Sequence, residues 1–266
     1  MTPPLNLIVV APTFYSSVEE SRFILGLDAC RQAASNNIRL ILVDGSPLEE
    51  IRTALHNAGK NHEGKSLVRV IPQVAPGKKG VALREAIQAA LEEFDSAGLA
   101  GEDSVIAFQE LEKVDMFRNW NSVVNHMAET GAGIACPCRE DSLFKSTYPI
   151  EQYYSETFGN LYLDSLGSKI GLPSIDWTAG PMALRCTLSK HWLDFDGQIW
   201  DAQLVPMLHA FLAGAKVTSI EIDYRHSLIM KQQEEGKPEW SEKRLLQLNH
   251  LSEKLGKKLK ESTAKA

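Results

Sequence analysis

Val105-Ile106-Ala107-Phe108-Gln109-Glu110-Leu111-Glu112 decides how this chain is read. An uncharged run of strand-forming residues ends abruptly in two carboxylates spaced i, i+2. Such a run marks a strand buried on both faces. In an extended chain, residues two apart point to the same side, so Glu110 and Glu112 are expected to converge at the carboxyl lip of the strand. Open α/β sheets bind ligands at that lip. Two converging carboxylates repel unless a cation lies between them, and hard cations such as Mg2+ or Mn2+ prefer oxygen donors. The pair is therefore a candidate metal–diphosphate site. A solvated strand end with two ordinary glutamates is the alternative.

Upstream, Leu7-Ile8-Val9-Val10-Ala11-Pro12 and Arg39-Leu40-Ile41-Leu42-Val43-Asp44 are two further apolar runs, the second ending in an acid. Val68-Arg69-Val70-Ile71-Pro72 reads as a short third strand, and Gly133-Ile134-Ala135-Cys136-Pro137 as a fifth. Helices are expected between them over 17–35, 47–58, 81–94 and 115–130, with Ser17 and Asp115 as caps. Alternating strands and helices imply a mostly parallel sheet covered on both faces. Asp44, Lys78, Lys79, Glu110 and Glu112 then fall on one edge. Pro76-Gly77-Lys78-Lys79-Gly80 opens onto the third helix. Glycines and lysines at a helix N-terminus can receive phosphate, through free N–H groups, the helix dipole and the ammonium charge. A solvated basic turn is the alternative, and the spacing is not that of a Walker loop.

The second half is less regular. Tyr154, Phe158 and Tyr162 repeat at helical spacing and are assigned to a core stripe, with an acceptor platform as the other reading. Residues 175–184 read as a loop entering a strand, 202–213 as a helix and 216–222 as a late strand. A helix over 240–259 carries Leu245, Leu248, Leu251, Leu255 and Leu259 on one side and ends in lysines. It is expected to pack on the body or on a second subunit. Contact with an anionic membrane surface is the sharper alternative.

Composition bounds the function. At 44% hydrophobic and 23% charged residues, the 266-residue chain is that of an ordinary globular protein, one large α/β domain or two small ones. A net charge of −6 argues against a general nucleic-acid binder. Four cysteines suit a reducing compartment, and Cys136-Pro137-Cys138 is too close-set for a zinc pair, so free thiols are expected. No targeting segment and no uncharged apolar stretch of bilayer length is visible, so a cytoplasmic location is expected.

Taken in order over residues 5–228, these motifs resemble the GT-A glycosyltransferases, especially the family 2-like enzymes that use nucleotide-diphosphate sugars. Val9-Val10-Ala11-Pro12-Thr13-Phe14 is similar to that family's first strand and Pro-Thr-aromatic turn. Leu42-Val43-Asp44-Gly45-Ser46 is similar to its Val-Asp-Asp-Gly-Ser strand end, with one Asp missing. Gly77-Lys78-Lys79-Gly80 resembles the Gly-Lys-Gly helix entry of polyprenyl-phosphate sugar transferases. Gln109-Glu110-Leu111-Glu112 stands in the place of the Asp-x-Asp metal motif, Trp177-Thr178-Ala179-Gly180-Pro181 resembles the acceptor-side loop, and Trp200-Asp201 stands where the family has Glu-Asp.

The resemblance implies a GT-A type α/β domain over 1–230, with a nucleotide-binding half (1–135) and an acceptor half (136–230), followed by a helical tail (231–266). It implies a metal-dependent glycosyltransferase that moves a sugar from a nucleotide-diphosphate donor to an acceptor hydroxyl. Pro12, Thr13 and Asp44 would line the nucleotide pocket, and Lys78 or Lys79 would meet the diphosphate. Glu110, Glu112 and His226 would hold the divalent cation, Mg2+ or Mn2+. Asp201 would deprotonate the acceptor. The metal motif carries Glu for Asp at both positions, which lengthens each arm by about 1.5 Å. A catalytically silent sugar-nucleotide-binding or scaffold protein is the alternative function. A sugar-nucleotide pyrophosphorylase is disfavoured because the loop after the first strand has no glycine. A nicotinamide dehydrogenase is disfavoured because the G-x-G-x-x-G fingerprint is missing.

Overall fold

The computed structural model describes residues 5–75 and 78–263. Its strands are β1 (Asn6–Thr13), β2 (Arg39–Asp44), β3 (Val68–Pro72), β4 (Ser104–Phe108), β5 (Ile134–Arg139), β6 (Met182–Arg185) and β7 (Val217–Ile222). They form one sheet in the order β3-β2-β1-β4-β6-β5-β7. Only β6 is antiparallel, inserted between β4 and β5. The order reverses between β1 and β4, and a reversal of this kind opens a crevice at the carboxyl ends of the strands. Because β6 runs the other way, the loop that enters it comes to the same edge as the exits of β1, β2, β4, β5 and β7.

Strand alternation builds two cores. Ile8 and Val10 point into one, Val9 and Ala11 into the other. The helices are α1 (Ser21–Ser35), α2 (Glu49–Ala58), α3 (Lys79–Ser96), α4 (Trp120–Thr130), α5 (Asp141–Thr147), α6 (Ile150–Gly167), α7 (Lys190–Leu193), α8 (Asp201–Leu212), α9 (Leu228–Glu234) and α10 (Pro238–Thr263). α1, α2 and α4 cover the Val9 face, and α3, α8 and part of α10 cover the Val10 face. Among the described residues no helix is long and apolar enough to cross a membrane. The four cysteines are free thiols.

Local signals for helix ends were only partly met. Ser17 does not cap α1, which starts at Ser21; its hydroxyl instead accepts from the Glu19 N–H at 3.2 Å. Asp115 lies in a short 3-10 turn (Val114–Arg118) before α4, and its carboxylate accepts the Arg225 N–H at 2.7 Å. That bond ties the β4 exit to the β7 exit. Pro76 and Gly77 of the basic loop lie outside the described residues.

The aromatic reading of α6 is corrected. Tyr154, Phe158 and Tyr162 are exposed, Phe158 to 69%, while Glu156, Gly159, Leu163 and Gly167 form the buried face. α10 lies against α6 where Gly159 has no side chain. A Cβ there would sit 2.2 Å from Leu248. Leu251 and Leu255 of α10 are fully buried but Leu245 is exposed; Leu259 lies outside the residues whose side chains are described.

Candidate functional site

β4 ends at Phe108, and this changes the fate of its acids. The chain turns at once, with the Lys113 N–H donating to the Glu110 carbonyl at 3.0 Å. Buried Gln109 holds the turn: its Oε1 accepts the Trp120 indole N–H at 2.6 Å and its Nε2 donates to the Lys113 carbonyl at 3.1 Å. Glu110 and Glu112 thus take different partners, with buried Leu111 between them. Glu110 is paired with Lys79, the first residue of α3, and lies 3.2 Å from Lys113. Glu112 is paired with Arg22 of α1. Burial pushes the Glu110 carboxyl up, but Lys113 and Lys79 overcome this and hold it well below the usual carboxylate range.

Lys79 is placed by the start of α3. The Gly80 N–H donates to the Gln198 carbonyl at 3.0 Å, and a Cβ on Gly80 would lie 2.1 Å from the Gly197 carbonyl oxygen, so only glycine allows this approach. Lys78, one residue earlier, is exposed. In the loop entering β6, Gly180 has φ +92°, and a Cβ there would come within 2.8 Å of Glu110 Oε2. Lys113 Nζ donates to the Ala179 carbonyl, joining this loop to the β4 exit.

At the β1–β2 end, Thr13 and Asp44 meet as the register requires. Asp44 is buried, and its Oδ1 accepts from Thr13 Oγ1 at 2.9 Å and Ser46 Oγ at 2.6 Å. Arg52 stands 3.5 Å from its other oxygen. The carboxylate expected to face a nucleotide therefore braces the turn from within, while Phe14 beside it is 58% exposed. Pro12, partly buried, pairs with Val43 inside the sheet.

At the β5 end, buried Arg139 makes a bidentate pair with Asp176 (2.7 and 2.8 Å) and a third bond to Glu156 (2.8 Å). It also donates to Thr178 Oγ1 at 3.0 Å and stacks 3.7 Å over the Phe144 ring. This group fixes the Trp177–Gly180 loop. Between the loop, the β4 exit, the β7 exit and α10 lies a cavity of about 260 Å³. Its lining includes Glu110, Glu112, Trp177, Trp200, His226 and Lys243. His226 stacks on Tyr148 (ring centroids 4.1 Å apart) and lies 4.0 Å from Glu234, which Arg244 of α10 pairs at 3.0 Å. Burial, then Lys113, Arg139, Arg244 and Lys231, push its imidazole down to about 3.

Asp201 is 6% exposed and is not part of the lining. Its Oδ1 accepts the Ile199 N–H at 3.1 Å and stands 3.2 Å from His250 Nε2. Burial raises its carboxyl, but these contacts outweigh that and leave it lowered.

No protein-family profile matches the sequence, and no curated protein matches it. Solved structures do. Glucosyl-3-phosphoglycerate synthase from Mycobacterium tuberculosis, solved with Mn2+, UDP and phosphoglyceric acid, is 14% identical over 95% of this chain and 79% of its own, with a TM-score of 0.55. Another structure of that synthase gives 0.58, at 14% identity over 95% of this chain and 81% of its own. A further mycobacterial protein is 16% identical over 84% of this chain and 68% of its own, with a TM-score of 0.55. This chain has the GT-A fold.

A divalent cation, as the resemblance implies one, would have to be held by Glu110, Glu112 and His226 beside the exit of β4. That donor set does not fit. Among the described residues no three His, Cys, Asp or Glu side chains are grouped to hold a metal ion. Glu110, Glu112 and His226 reach one cavity, but each acid is already paired with side-chain cations, and the imidazole is packed on Tyr148 beside Glu234. The expected ring of three ligands is thus not formed, because β4 stops before the i, i+2 geometry can act. Sequence reasoning missed Arg22, Lys113, Arg139 and Arg244. A signal existed for Arg139, a charged residue ending an apolar strand as Asp44 does, and for Lys113, adjacent to the acids. Arg22 and Arg244 lie on distant helices and had none.

Proposed function

We propose that this protein transfers a sugar from a nucleotide-diphosphate donor to the hydroxyl of an acceptor held in the cavity. The observation that carries the reading is the cavity itself. It opens at the carboxyl edge of a GT-A sheet, beside the reversal between β1 and β4, and both halves of the chain supply its walls. Three indoles, Trp177, Trp200 and Trp240, line it together with charged groups. Aromatic faces can bury the apolar face of a sugar ring while a few polar groups orient its hydroxyls. The nucleotide is assigned to the β1–β2 exits around Thr13 and Phe14, and the diphosphate to the β4 exit near Lys79 and Lys113. We assign the acceptor proton to Glu234 rather than Asp201. Glu234 lines the cavity, and burial raises its carboxyl against the pull of Arg244, which suits a group that must take up a proton.

The test is release of nucleoside diphosphate from UDP-, GDP- and ADP-sugars, with and without Mn2+. Release with one donor is expected, and Glu234→Gln is expected to slow it about 100-fold while leaving donor affinity unchanged. A donor that raises the melting temperature but is never consumed favours the silent sugar-nucleotide-binding protein instead.

A further inference from the structure

The mismatch between fold and donor set has a chemical meaning. At the β4 exit, Arg22, Lys79 and Lys113 face two carboxylates, Glu110 and Glu112. Lys79 pairs with Glu110 from outside the cavity lining, so the β4 exit as a whole carries an excess of positive charge. From α10, Lys243 adds another ammonium to the lining, 4.2 Å from the centre of the Trp240 ring. Arg139, with Asp176 and Glu156, leaves one negative charge behind the acceptor loop, and the oxygens facing Arg139 are bonded to it. A divalent cation entering at Glu110 would meet two ammonium groups at contact distance. A diphosphate would find the charge it needs in place.

We propose that the protein binds the donor's diphosphate without a divalent cation, through Lys79, Lys113 and Arg22. Glu110 neutralises the two lysines before the nucleotide arrives and competes with the phosphates for them afterwards. Phosphate oxygens then share the lysines with Glu110. The inference rests on the transferase reading, because it takes the ligand to be a nucleoside diphosphate. It concerns binding alone, so it can be read without turnover.

The experiment is calorimetry of UDP, GDP and ADP on the full chain, in excess EDTA and again with Mn2+ or Mg2+. One nucleotide is expected to bind equally well in both, within about twofold. Lys79→Ala and Arg22→Ala, both at partly exposed positions, are expected to weaken it at least tenfold, with the fold checked by thermal melting. Glu110→Gln separates the two chemistries by sign. It keeps or tightens binding if the lysines hold the phosphates, and abolishes it if Glu110 is a metal ligand. Binding that EDTA abolishes, that Mn2+ tightens tenfold or more, or that Glu110→Gln destroys overturns the inference and leaves the transferase reading standing. Absence of binding by any nucleotide, with metal or without, overturns both.

Discussion

The two ends of the rim bury charge in opposite ways. At the β1–β2 end a carboxylate, Asp44, is held by two hydroxyls, with one arginine at a distance. At the β5 end an arginine, Arg139, is held by two carboxylates. Both groups are buried, yet their dependence on charge differs. Hydroxyl donors can serve a neutral amide oxygen almost as well as a carboxylate. Two buried carboxylates cannot do without their cation. The β1–β2 end is therefore expected to tolerate loss of charge, and the β5 end is not.

The largest expected effect tests that contrast directly. Arg139→Met leaves Asp176 and Glu156 buried without a counter-charge and is expected to cost about 3–5 kcal/mol of stability. Asp44→Asn is expected to cost about 1 kcal/mol. Urea midpoints of the two variants measure both, and equal losses would break the comparison.

Burial of His226, and then the cations around it, also make this end acid-sensitive. An unfolded histidine titrates near 6.5, whereas His226 in the fold is pushed down to about 3. Between those values the unfolded chain takes up the proton and the folded chain does not. The contribution of His226 is thus complete above about pH 6.5 and is lost as pH falls toward 3, by roughly 1 kcal/mol per pH unit. His226→Phe, which keeps a ring against Tyr148, is expected to flatten the fall in melting temperature between about pH 6 and 4. An unchanged slope would move the acid sensitivity elsewhere.

The smallest effect sharpens the contrast on α6, whose inner face supplies Glu156 to Arg139. Phe158→Ser on the outer face is expected to change stability by less than about 0.5 kcal/mol, as at other exposed positions. A loss of 2 kcal/mol or more in the melting curve would restore the core-stripe reading.

The strands were legible because short apolar runs bounded by turn signals suit buried strands, as Leu40-Ile41-Leu42-Val43 does. The helices on the sheet were legible within a few residues for the same reason. α6 misled because periodicity identifies a face without saying which face is inward. Here small Gly159 and charged Glu156 face inward, since α10 needs the space and Arg139 needs the charge. The candidate site was legible as a place but not as a coordination shell. Lys79, Glu110, Glu112 and His226 do come to one region of the rim, whereas Asp201 stands behind it.

Residue pattern alone determined the α/β layering, the edge where the strands end, and the supply of acids and lysines to that edge. These follow from hydrophobic period and strand direction, which are local properties. Only the tertiary structure decided which charges neutralise which. That choice depends on a strand ending at Phe108, on Arg22 arriving from α1 and on α10 closing the cavity. Such long-range pairings leave no trace in the spacing of the residues that make them.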